Sequence, residues 1–123
     1  MFFRRKKEQE RKKRLFDIEV EKEECFGLRE GLGKLPEVEK ALEGILHMDS
    51  VFDEVCFRTL VGEDVPGGRT EIAAIKLFFV ETETVLRAIR ALEELGVKAS
   101  ARNYGLHGAV WEISFWPARP NRR

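Results

Sequence analysis

The chain has 123 residues, 43% of them hydrophobic and 36% charged, with 22 basic and 22 acidic side chains. That length holds one domain with a substantial core but not two. The apolar content excludes general disorder, and the lack of any long apolar run excludes a helical membrane span.

The zero net charge hides a segregation by position. Residues 1–14 carry Arg4, Arg5, Lys6, Lys7, Arg11, Lys12, Lys13 and Arg14 against Glu8 and Glu10, a net of +6. The last five residues add Arg119, Arg122 and Arg123, and the body between, residues 15–118, is left at −9. The expected organisation is a basic arm (1–14), one domain (15–118) and a basic tail (119–123). Basic termini of this kind bind phosphates through charge alone, or neutralise the acidic body of another copy.

From Arg4 to Arg14 no residue is apolar, so the arm has no face with which to pack. Pairs such as Glu8–Lys12 contribute only about 0.2–0.5 kcal/mol each, too little to order a lone helix of this length. Phe2 and Phe3 precede charge and not an apolar segment, which reads as the absence of a secretory signal. Phe16, Ile18 and Val20 then alternate with Asp17, Glu19 and Glu21, the period of a half-buried strand. Gly27, Gly31 and Gly33 suggest a loop, and Pro36 with Val38, Ala41, Leu42 and Ile45 predicts a helix ending near His47.

Val51–Val61 and Thr70–Val80 read as strands joined in a long hairpin through residues 62–69. Thr82 is a candidate N-cap for a helix with Leu86, Ile89, Leu92 and Leu95 on one stripe and Gly96 as its stop. Val97–Asn103 and Ala109–Trp116 complete the set as two more strands. The order predicts an α+β two-layer sandwich of ferredoxin-like type, βαββαβ with an extra C-terminal strand and two helices on one face of an antiparallel sheet.

The strand around Ile75 is apolar on both sets of alternating positions. Ile75, Leu77 and Phe79 form one set, and Ile72, Ala74, Phe78 and Val80 the other. Helices cover only one face of such a sheet, so Ile75, Leu77, Phe78 and Phe79 are candidates for an open face covered by a twin subunit, by the chain itself or by stacked bases. Phe79-Val80-Glu81-Thr82 before a helix resembles the third strand and second helix of an RNA-recognition motif. Leu77 stands at one of the two aromatic positions of that strand, however, the glycine near its start is missing, and Phe16 alone matches the companion motif, so the chain is not assigned to that family.

Trp116, on the far side of the last strand from Trp111 and Phe115, sits beside Arg119, Arg122 and Arg123 and is a candidate for base stacking. Cys25, His47, Cys56 and His107 are zinc-ligand types at spacings too long for a structural site, so no metal is expected and the cysteines read as free thiols of a reducing, cytoplasmic compartment. No nucleotide-binding glycine pattern or nucleophile–base set is present, and no cofactor is expected. Few side-chain amides beside abundant Glu, Lys and Arg resemble thermophile usage.

The reading is a small non-enzymatic protein that engages RNA or single-stranded DNA, or a nucleoprotein assembly, through the basic termini and an open sheet face. The alternative is a homodimeric structural or regulatory module whose interface is that face. A metal-dependent nuclease using Asp17 comes third.

Overall fold

The computed structural model describes residues 18–47, 53–105 and 110–117. In chain order these hold β1 (Glu19–Gly27), α1 (Leu28–Leu32), α2 (Pro36–Leu42), β2 (Glu54–Val61), β3 (Arg69–Phe78), α3 (Thr82–Glu94), β4 (Ala99–Tyr104) and β5 (Val110–Phe115). The strands form one five-stranded sheet in the order β1-β2-β3-β5-β4, every neighbouring pair antiparallel.

The α+β sandwich is as expected, but the strand order differs from the ferredoxin-like layout. That layout needs the first strand in the sheet centre, whereas β1 lies at the edge against β2. Between β1 and β2 the chain forms two short helices, α1 and α2 of about 8 and 10 Å, where a ferredoxin-like crossover has one helix running back along a strand of about 26 Å. β2 pairs directly and antiparallel with β1. The 13 residues of α3 span about 20 Å. Here the crossover does form: β3 and β4 run parallel, and β5 lies between them, antiparallel to both.

Val55 on β2, Ala73, Ile75 and Leu77 on β3, and Ile113 and Phe115 on β5 point to the helices. They meet Leu28, Leu32, Val38, Leu42, Val85, Ala88 and Leu92 in one core. α1 packs so closely that a Cβ on Gly31 would stand 2.5 Å from Val55 Cβ, so this glycine belongs to a helix against the sheet and not to a loop. Gly27 likewise ends a strand.

The buried stripe of α3 is Val85, Ala88 and Leu92, with Ile89 partly buried beside it. Leu86 and Leu95 face solvent, because the true helical period of 3.6 drifts off a run of three-residue steps. Thr82 is the first helical residue, and Glu81 takes the cap position. Gly96, at φ +83°, closes the helix in a Schellman arrangement, its N–H donating to Glu93 O and that of Val97 to Leu92 O.

β1 is exposed along nearly its whole length, not half-buried, as an edge strand with no helix over most of it. Its charged residues Glu19, Glu21, Lys22, Glu23 and Glu24 and a bulge between Val20 and Lys22 discourage another strand from adding there. Among the described residues no helix is long and apolar enough to cross a membrane.

Candidate nucleic-acid interface

On the side of the sheet away from the helices, residues in register form rows across the strands. One row joins Cys25, Cys56, Ala74, Ser114 and Ser100. The next joins Glu54, Lys76, Glu112 and Arg102, and another joins Phe78, Val110 and Tyr104. Ile72, opposite Arg58, lies on the same side.

This face is roofed by charge. Arg58 Nε donates to Glu23 Oε2 at 2.6 Å and Arg58 Nη2 to Glu112 Oε2 at 2.8 Å, while Lys76 Nζ lies 3.5 Å from Glu54. Arg58 is opposite Ile72 and Glu112 opposite Lys76, so the guanidinium crosses β3 at Ala74, where a small side chain leaves room. Ala74 and Cys56 are consequently completely buried. The apolar positions on this side therefore owe much of their cover to the chain's own ion pairs and the aliphatic stem of Arg58. The hydrogen bond from Arg58 holds the Glu23 carboxyl below its usual range. Burial pulls the Arg58 guanidinium down, but hydrogen bonds and charge from Glu23 and Glu112 outweigh it and leave the group raised.

Ile75 and Leu77 are fully buried beneath the helices and belong to the core, not to the open face. Phe78 is half-buried on the open side, and its backbone N–H donates to Asp53 Oδ1 at 3.2 Å. Phe79 lies past the end of β3 in a left-handed conformation, φ 59°, and is 78% exposed. Val80, assigned to the strand from sequence, also falls outside it. Trp116 follows β5, 48% exposed, on the opposite side from Phe115 by strand alternation. The arm residues Arg4, Arg5, Lys6, Lys7, Arg11, Lys12, Lys13 and Arg14 and the tail residues Arg119, Arg122 and Arg123 lie outside the described residues, as do Phe16, Asp17 and His107.

Beside the ion-pair roof lies a shallow groove of about 290 Å³ lined by Arg58, Ser100, Ala101, Arg102, Glu112 and Ser114. Arg102 is exposed, and its guanidinium stands 5.5 Å from the centroid of Tyr104, which is itself 37% exposed. The groove thus presents the Arg102 cation, which packs on the neighbouring Tyr104 ring, two hydroxyls and a buried carboxylate paired with Arg58. These features escaped sequence reading. Ser100, Arg102 and Tyr104 alternate at period 2, a signal that they share a face, but nothing in the sequence says that β4 lies beside β5.

The cysteines are not free. Cys25 and Cys56, paired in register with Cα atoms 4.0 Å apart, form a disulfide between β1 and β2. Sequence spacing hid this because 31 residues separate them. His47 is exposed beyond α2 and outside the group formed by Glu23, Cys25 and Cys56. Comparison with protein-family models, curated proteins and solved structures finds no match.

Proposed function

We propose that the chain is a non-enzymatic binder of single-stranded nucleic acid, with the strand lying along the β4–β5 half of the open face. The observation that carries this reading is a groove lined by Arg102, Ser100 and Ser114 on the open face, with the exposed ring of Tyr104 under the Arg102 guanidinium at one end and the exposed Trp116 just past the end of β5. From the level of Tyr104, opposite Val110, to Trp116 is six residues of strand, or about 20 Å. That leaves room for a short run of nucleotides stacked at either end and held by Arg102, Ser100 and Ser114 between.

The open face contributes little net charge, since on its paired positions Glu23, Glu54 and Glu112 balance Arg58, Lys76 and Arg102. Long-range attraction therefore falls to the basic termini, which engage phosphates irrespective of sequence, while the aromatic groove supplies the short-range contacts.

Fluorescence anisotropy of a labelled single-stranded oligonucleotide over a salt series tests this, on protein stripped of co-purifying nucleic acid. Losing one stacked base contact costs about 1–3 kcal/mol, so Tyr104→Ala and Trp116→Ala should each weaken binding roughly 5- to 150-fold. Deleting residues 1–14 should flatten the dependence of log affinity on log salt, each phosphate contact accounting for about 0.7 of the slope. Absence of binding at low salt would refute the proposal. If the aromatic variants instead left affinity unchanged and halved the mass in solution, the face would be a homodimer interface.

A further inference from the structure

Cys25 and Cys56 sit directly across the β1–β2 pairing, and Glu23 and Glu54 each lie two residues before one of them on the same face. Glu54 Oε2 is 3.8 Å from Cys56 Sγ. A carboxylate oxygen of Glu23 and the two sulfurs all fall within 4.8 Å of one another. This is a compact set of two sulfurs and one carboxylate, with Glu54 outside that group but beside Cys56, and these are donor types that bind zinc-class ions. The sulfurs are held in their mutual bond, and the two carboxylates pair with Arg58 and Lys76.

We propose that Cys25, Cys56 and Glu23, with Glu54 as the fourth donor, form a redox-gated site for a thiophilic divalent cation, closed as the disulfide and open as the dithiol. Opening requires a dithiol reductant. Its two thiols give two electrons and two protons to the Cys25–Cys56 bond and become a disulfide themselves. The cation then displaces the two thiol protons to solvent and forms two metal–sulfur bonds.

With metal–sulfur bonds of about 2.3 Å in a tetrahedral site, the two sulfurs stand about 3.8 Å apart. Side-chain rotation reaches that separation on strands already paired at these positions, with no change of register.

Charge favours the assembly. Two thiolates and two carboxylates bring four negative charges, of which a divalent ion cancels two. Lys76, beside Glu54, and Arg58, shared between Glu23 and Glu112, offset most of the remainder. Arg58 is also an outer partner that fixes the orientation of Glu23 while leaving a carboxylate oxygen for the ion. Cys25 and Glu23 are exposed, which gives the ion a way in, and buried Cys56 fixes one donor.

The test uses the full chain, reduced and oxidised, titrated with Co²⁺ or Zn²⁺ alone. Reduced protein should take up one ion per chain, show the visible bands of tetrahedral cobalt–thiolate and stay at its original mass. Oxidised protein should bind none. Cys25→Ser, at an exposed position, should abolish uptake with a cooperative melt retained. Glu23→Gln should weaken affinity roughly 10- to 100-fold, at least the loss seen when an outer partner of a ligand is removed. The proposal is overturned if reduced protein binds no cobalt, if Cys25→Ser or Glu23→Gln binds like the parent, or if one ion bridges two chains.

Discussion

Replacing Arg58 by Met is the sharpest probe of how the open face is held. Met keeps most of the aliphatic stem that covers Ala74 but removes the charge, leaving Glu112, whose side chain is 7% exposed, without the cation that faces it. Truncating one partner of a buried pair costs about 3–5 kcal/mol. Arg58 itself retains 20% of its side-chain exposure, so the lower end of that range, about 3 kcal/mol, is expected. Glu23, the other partner, is 39% exposed and regains water. Removing both buried charges together, as Arg58→Met with Glu112→Leu, deletes the desolvation cost along with the attraction, and should return stability to within about 1 kcal/mol of the parent. Urea denaturation of the parent, the two single variants and the double variant closes the cycle, and an unchanged m-value licenses the comparison. A single Arg58→Met variant within about 0.5 kcal/mol of the parent, the range of ordinary surface changes, would refute this account of the roof.

Glu23 titrates below its usual range because of Arg58, so its contribution is present above the unfolded-state value of about 4.3 and is lost as pH falls through the lower folded-state value. Glu23→Gln should accordingly flatten the loss of stability below about pH 4.3, read by urea midpoints across pH. Gly31→Ala should destabilise by about 1–3 kcal/mol, because the new methyl meets Val55 on a packed strand. Phe79 is exposed and left-handed, so Phe79→Gly should raise stability by up to about 1 kcal/mol, and Phe79→Asp should leave the fold intact. Leu77→Asp, in the core, should abolish cooperative melting by circular dichroism.

The sequence made local periodicity legible, and partnership was hidden. The strands around Val55, Ile75 and Ile113, and the helix stopped by Gly96, follow from alternation, helical spacing and a glycine that tolerates positive φ. The edge placement of β1 does not, because period 2 says that a strand has two faces and not which strand lies beside it. The same limit hid the Cys25–Cys56 bond, since only the register sets those residues opposite each other. An apolar run on both sides of β3 suggested a face beyond the helix-covered one, on which Ala74 is buried and Ile72 and Phe78 are half-buried. That Arg58, Glu23 and Glu112, far apart in sequence, supply much of its cover could not be read without the pairing of β2, β3 and β5.

The central claim is that single-stranded nucleic acid lies along the β4–β5 half of the open face. The most direct measurement is photo-crosslinking of the full chain to an oligonucleotide carrying photoreactive bases, with the adducts mapped by mass spectrometry. The account predicts adducts at Tyr104 and Trp116, lost in the corresponding alanine variants. Adducts confined to residues 1–14, or none above the level of a scrambled-charge control protein, would contradict it.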